Sequence, residues 1–181
     1  MKFILILILA SMPLSGFAQT QVSRGAPSVF KQKIEQEILL RLRAHHDAPT
    51  ASELEKISPE ARAVVTQVVR QGSGFMRDRA IMALATWGDE EVWSILAPIF
   101  INTATHEITR HQLLTTLAQN FGDKSLGLVD AWLTSSDREK RLTAAQALAE
   151  VNSERSLALA QKRAESETDQ DVKRLLERSI R

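Results

Sequence analysis

The feature that most constrains this chain is a segment that recurs every 31 to 33 residues. "RAIMALATWGD" (79–89), "RHQLLTTLAQNFGD" (110–123) and "RLTAAQALAEVNS" (141–153) share one plan: a basic residue, small apolar residues, a Leu, then a tight turn. Set in register, Arg77, Arg110, Arg141 and Lys173 lead. Three residues on stand Ala80, Leu113, Ala144 and Leu176, and seven residues on stand Leu84, Leu117, Leu148 and Ile180. Periods of this size mark stacked-repeat architectures, in which each unit is too small to bury its own apolar face.

The second half of each unit says what the unit is. Trp87-Gly88-Asp89 and Phe121-Gly122-Asp123 match, and Val151-Asn152-Ser153 is a looser copy. Gly or Asn can take the left-handed conformation that closes one helix. Asp or Ser can then offer an oxygen to the free N–H groups that open the next. Val92, Ile95, Leu96 and Ile99, and later Leu126, Val129 and Leu133, form helical stripes on that second helix. Ser136 and Glu139 are spaced as a capping box for the third unit. The expected fold is all-α: an α-solenoid of stacked antiparallel helical hairpins. Few Gly and Pro residues, 7 and 5, agree with it.

"DREKRLTAAQALAEVNS" resembles the HEAT-like repeats first described in phycobilisome lyases, whose pattern is an acidic residue, a basic one, small apolar residues, a Leu and a turn. The likeness covers roughly Gly74 to Arg181. The second copy departs from it with Leu113 and Leu114 where small residues are usual, and the fourth lacks its partner helix. The resemblance implies an α-solenoid that binds other macromolecules. Tetratricopeptide repeats have a similar period, but their Trp-Gly-Tyr signature is missing, and the chain has no tyrosine.

The repeats occupy 74–181, as about 75–102, 105–134, 137–166 and a terminal helix 169–181 whose charged face suits a cap. Residues 28–71 read as N-terminal helices capping the solenoid. Ser28 is placed to cap a helix reaching about His46, Thr50 and Glu53 form a capping-box pattern, and Ser58-Pro59 is placed to open a further helix. Residues 19–27 read as a flexible N-terminus. Residues 1–18, "MKFILILILASMPLSGFA", have the build of a secretory signal peptide: Lys2, an apolar run too short to span a bilayer, and Gly16 and Ala18 before a cut. The expectation is a periplasmic or secreted protein with no transmembrane span once the leader is cleaved after Ala18.

Without Lys2 the remaining basic residues balance the 22 acidic ones. Such neutrality argues against a nucleic-acid partner. The chain has no cysteine, so disulfides, thiolate ligands and cysteine nucleophiles drop out. Neither a Gly-x-Ser-x-Gly elbow nor a phosphate-cradling loop is present, so no catalytic residue, metal site or cofactor is expected. His106 and His111 in "HEITRH" carry the rival reading, a metal-assisted hydrolase. Their spacing of five puts them about 140° apart round a helix, against the shared face that a zinc pair needs. The adjacent His45 and His46 diverge as well.

The aromatic residues point to binding. Trp87 and Phe121 share a repeat position that suits core filling. Trp93 and Trp132 sit off their stripes on opposite flanks, so they either fill the seam between units one and two or face a partner. The expectation is a non-catalytic adaptor or scaffold for an unidentified protein, contacted through the second helices at Trp93, Asp130, Trp132 and Lys162. A basic cluster of Arg62, Arg70, Arg77 and Arg79 is a second candidate, and an envelope-surface or polysaccharide-associated role would rest on it.

Overall fold

The computed structural model describes residues 25–44 and 47–180. The described residues contain helices and no strand. In chain order they are α1 (Gly25–Arg43), α2 (Ala51–Glu55), α3 (Ala61–Gln71), α4 (Gly74–Ala85), α5 (Glu90–Ile101), α6 (Glu107–Phe121), a 3₁₀ turn (Gly122–Ser125), α7 (Leu126–Leu133), α8 (Arg138–Val151), α9 (Glu154–Ser166) and α10 (Gln170–Ser179). The fold is an α-solenoid. The first helices of successive units, α4, α6, α8 and α10, pack side by side in one row. The second helices α5, α7 and α9 pack back on that row, and α1 and α3 close its N-terminal end against α4. The expected leader at residues 1–18, most of the expected flexible stretch and His45–His46 lie outside the described residues. The start of α1 at Gly25 puts Ser28 inside the helix, not at its cap.

The repeat register has a direct physical meaning. Ala80, Leu113, Ala144 and Leu176 are all fully buried. Along the row this position alternates small, large, small, large. A Leu from one helix can therefore enter the space left by an Ala on each neighbour, which is how close-packed helices interdigitate. Leu113 thus departs from the usual small residue because Ala80 and Ala144 flank it. Leu84, Leu117 and Leu148 are also buried, and Ile180 at the chain's end is half-buried. Each such leucine contributes about 1.5–3 kcal/mol by leaving water.

The leading basic residue has an equally specific task. The last carbonyls of a helix lack intrahelical partners. Arg77 donates to the carbonyl of Val69 near the end of α3, at 3.0 Å. Arg110 donates to the carbonyl of Phe100 at the end of α5, at 2.7 Å. Arg141 donates to the carbonyls of Ser135 and Ser136 after α7, at 3.0 and 3.1 Å. Arg77 and Arg110 therefore each tie a first helix to the C-terminal end of the helix before it, where the helix dipole favours a cation, whereas Arg141 holds the loop beyond α7 and pairs with the Glu167 carboxylate at 3.0 Å. Lys173, the fourth copy, makes no such bond among the described residues and sits half-buried.

The corners follow the sequence in three places and depart from it in three. Gly88 has φ 64° and Asp89 caps α5 through the Val92 N–H at 3.0 Å. Asn152 is left-handed at φ 45°, and Ser153 and Ser156 cap α9 reciprocally. The Thr50–Glu53 capping box is complete. At the second corner Gly122 has φ 52°, but Asp123 enters a 3₁₀ turn and caps nothing; it reaches the next unit instead, accepting from the Ser153 hydroxyl and pairing with Arg155. In place of Ser136, Asp137 caps α8, because its carboxylate reaches the Glu139 N–H at 2.9 Å. Ser58 is buried and bonds the Glu60 N–H at 3.1 Å, making a turn one step before α3 begins at Ala61.

Polar side chains repeat the stacking at the same period. Thr109 donates to Asp78 at 2.9 Å, His111 bonds Thr143 at 2.5 Å, Arg163 donates to Asp130 at 2.7 Å and Arg138 to Asp169 at 2.8 Å. Lys124 meets Glu90, and Lys140 meets Glu107 at 3.1 Å. Equivalent positions of neighbouring units stand side by side, so partners fall one repeat apart in sequence.

Two outcomes follow. Arg110→Met keeps the side chain's stem and loses its carbonyl bond, so urea unfolding should show a loss of about 1.5–3 kcal/mol, the scale of a charged hydrogen bond. The second concerns acid. The Val92 N–H, and after it the Arg62 guanidinium, hold the Asp89 carboxyl below the ordinary aspartate value of 3.8. Arg138 first, then the Val172 N–H, lower Asp169. A carboxyl depressed in the folded state stabilises above its unfolded value, and that contribution is lost as pH falls through the folded value. The urea midpoint should therefore fall below about pH 4, with a shallower fall in Asp89→Asn, which keeps a capping oxygen but not the charge.

Candidate functional site

The residues singled out in the sequence separate once placed. Trp132 is buried, 6% exposed, and fills the seam between units one and two. Its ring lies 4.9 Å from Phe100 and 4.8 Å from His111, with the Arg110 guanidinium 5.4 Å and the Lys140 ammonium 6.0 Å from its centroid. The flank it occupies on α7 is covered by α5 and α6, so it is no partner anchor. Trp93 is half-buried, edge-on to Phe121 at 5.3 Å, with Lys124 over its face at 5.1 Å. It too seals the first seam. Trp87 donates to Glu55 at 2.7 Å, and its ring packs on the core. Asp130 is held by Arg163. Lys162 is exposed on α9.

The basic cluster is largely consumed by structure. Arg62 forms a two-pronged bond to Asp89, at 2.7 and 2.9 Å, and reaches Glu91 at 2.9 Å. Arg77 holds the end of α3. Arg79 donates to the carbonyls of Leu42 at 2.5 Å and Asp47 at 2.8 Å. Of the four, Arg70 is exposed and the other three are half-buried. Local charge in the sequence cannot tell a solvated arginine from one that has found a carbonyl, and here the carbonyls win.

The two histidines of the hydrolase reading face different surroundings. His106 is exposed at the N-cap of α6, whereas His111 is half-buried between Thr143 and Trp132. Among the described residues no group of three or more His, Asp or Glu could hold a metal ion.

A different surface has the shape of a site. A groove of about 1060 Å³ runs between the outer faces of α4 and α6. Phe75, Asp78, Arg79 and Met82 line it from α4 and Thr86 from the cap that ends α4, Ile108, Gln112, Thr115 and Gln119 line it from α6, and the exposed Asp47 borders it from the loop after α1. The spacings 7 and 4 from Phe75 through Met82 to Thr86, and 4, 3 and 4 on α6, keep each set on one face of its helix. Its base is tied shut: Thr109 bonds Asp78, and the Thr116 hydroxyl lies 3.1 Å from the Met82 sulfur. One end carries two large exposed apolar side chains, Phe75 at 58% and Ile108 at 62%. The Arg79 guanidinium stands 5.5 Å from the Phe75 ring centroid and braces it from one side.

Phe75 and Ile108 are the same repeat position, two residues before the leading arginine. In the next two units that position holds Glu139 and Asp171. Glu139 and Asp171 both pair with Arg138. The repeat register held this signal, but only as a column in which the chemistry changes. A search for motifs and stripes passes over it.

The two kinds of site respond differently to mutation. Trp132→Ala should cost about 3–5 kcal/mol in thermal or urea unfolding, because it empties a packed seam. Phe75→Ser and Ile108→Ser, on an open rim, should each stay within about 0.5 kcal/mol of the parent.

Among known proteins, a sequence model of HEAT repeats matches residues 98–181. The match begins inside α5 and runs through α6 to α10, and the unit before it joins the same stack by structure. No curated protein and no solved structure matches the chain. Among the described residues no helix is long and apolar enough to cross a membrane. The match and the stacked hairpins together support a HEAT-like repeat protein.

Proposed function

We propose that this protein is a non-catalytic scaffold in the bacterial envelope that holds another protein in the groove between α4 and α6. The observation that carries the reading is the exposed pair Phe75 and Ile108 at the mouth of one groove. Stacking needs neither side chain at that position, since Glu139 and Asp171 occupy it in units that join the same stack. HEAT repeats are commonly protein-interaction scaffolds, and exposed apolar groups framed by polar ones are what protein-binding surfaces offer. The envelope location rests on the leader-like composition of residues 1–18, and the likeness to phycobilisome-lyase repeats rests on the 137–153 stretch.

The face made by the second helices has weaker support. Of its four candidates Trp132 is buried, Trp93 is packed on Phe121 and Asp130 is paired. Lys162 alone is exposed and unpaired among the described residues.

Site-specific photocrosslinking in the native cell tests the proposal. A photoreactive phenylalanine at position 75 should give a discrete crosslinked protein band from the envelope fraction, and the same group at position 162 should not. A band at 162 and none at 75 would move the binding face to α9.

A further inference from the structure

The two ends of the row are finished differently. At the C-terminal end, α10 exposes Asp171, Arg174, Glu177 and Arg178, the wetted face that an end helix needs. At the N-terminal end, α1 exposes Val29, Phe30 and Leu40, three of the six large apolar side chains exposed among the described residues. The core takes the other side of α1: Ile38 and Leu42 are fully buried and Ile34 packs half-buried beside them. At 100° per residue, the strip of Val29, Phe30, Lys33, Glu37 and Leu40 lies roughly 130° round the helix from that core stripe. Residues 29–33 are exposed on every side, so the start of α1 gains little from the other described residues.

This strip is complementary to a reversed copy of itself. Lay a second α1 antiparallel across it, with a two-fold axis level with Glu35. Phe30 and Leu40 are equally far from that level, and so are Lys33 and Glu37. Leu40 of each copy then stands against Val29 and Phe30 of the other, and Lys33 of each against Glu37 of the other. Val29, Phe30 and Lys33 are three corners of an i, i+3, i+4, i+7 hollow, the kind that receives a knob from a facing helix, and Leu40 is the knob. Every contact occurs twice, as an isologous interface requires. Lys33 and Glu37 have no ion-pair partner among the described residues. Lys before Glu is also the poorer order for pairing four residues apart within one helix, which leaves both charges to a partner. Lys31 and Glu35 lie on the far side of α1. Arg41 and Arg43 sit at the strip's margins, level with Val29 and Pro27 of the copy, so no like charges meet.

We infer that two copies of this chain pair through antiparallel α1 helices, Leu40 of each seated between Val29 and Phe30 of the other and Lys33 of each bonded to Glu37 of the other. The pairing uses no residue of the α4–α6 groove, so the dimer presents two grooves. From Val29 to Leu40 the strip is about 16 Å long. That makes an interface at the small end of specific ones, below about 600 Å² per partner, so dimer and monomer exchange.

In sedimentation velocity, the full chain purified from its native cell should shift from monomer to dimer as its concentration rises from ~1 to ~300 μM. Lys33→Glu meets Glu37 of the other copy and should raise the dimer's Kd at least ~5-fold, and Lys33→Glu/Glu37→Lys should restore it. The melting temperature of the dilute monomer should stay unchanged in both. The chain has no cysteine, so new ones report the register. Positions 30 and 40 of one helix are about 15 Å apart, beyond the reach of a disulfide, as are two copies of either position across the axis. Oxidising a mixture of Phe30→Cys and Leu40→Cys chains should therefore give linked dimers, and oxidising either alone should not. A monomer across the whole range would overturn the inference. So would a Lys33→Glu chain that pairs as well as the parent, or single-variant chains that link to themselves as readily as to each other. A chain that stays monomeric and floats with phosphatidylglycerol vesicles would overturn it too, giving the strip to a lipid surface.

Discussion

Lateral burial between first helices is the interaction on which everything else in this molecule rests. A single hairpin such as α8–α9 cannot hide Ala144, Ala145, Ala147 and Leu148 by itself, because α9 covers only one side of α8. Those residues are buried because α6 and α10 stand on either side. The alternation of Ala80, Leu113, Ala144 and Leu176 turns this mutual dependence into a fit. A uniform column of leucines would push the helices apart, and a uniform column of alanines would leave voids. The cohesion is then a sum of neighbour-to-neighbour terms, with no single centre.

Once the row exists, equivalent positions on adjacent helices face one another, and the polar contacts inherit the repeat period. This explains why Thr109 finds Asp78, Arg163 finds Asp130 and Arg138 finds Asp169 without any local sequence relation between them. Most of these pairs are partly exposed and individually weak. Their value is in register: a slip of one residue between neighbouring units would break several at once. The arginines that hold the preceding helix ends act differently, because they complete carbonyls that the helices cannot satisfy alone.

The fold was legible in the sequence because periodicity survives in a one-dimensional string. The Gly88-Asp89 and Asn152-Ser153 corners could be read as turns from residue chemistry alone. Local rules failed where a tertiary partner competed. Asp123 left its helix end for Ser153 and Arg155, and the Arg62–Arg79 stretch, basic on paper, is mostly spent on carbonyls and on Asp89. Helical-wheel arithmetic put Trp132 on a flank correctly, but it could not say that α5 and α6 would cover that flank. The groove was hidden for a further reason. Its residues come from two helices about 33 positions apart, and nothing in either helix alone announces a shared surface.

A repeat array poses a particular problem for function: most of what recurs is there to stack. The informative residues are those that break the recurrence without breaking the stack. The position two residues before each leading basic residue meets that description. It lies outside the buried column, so its identity is free of packing constraints. In the third and fourth units it bears acids that pair with Arg138, which is ordinary surface chemistry. In the first and second it bears Phe75 and Ile108, which expose apolar area at a cost in solubility and return nothing to the stack. Chemistry that is neither required by packing nor favoured by water is what a partner-binding surface offers, and this is why the Phe75–Ile108 column, and not the recurring plan of the stack, carries the proposed function.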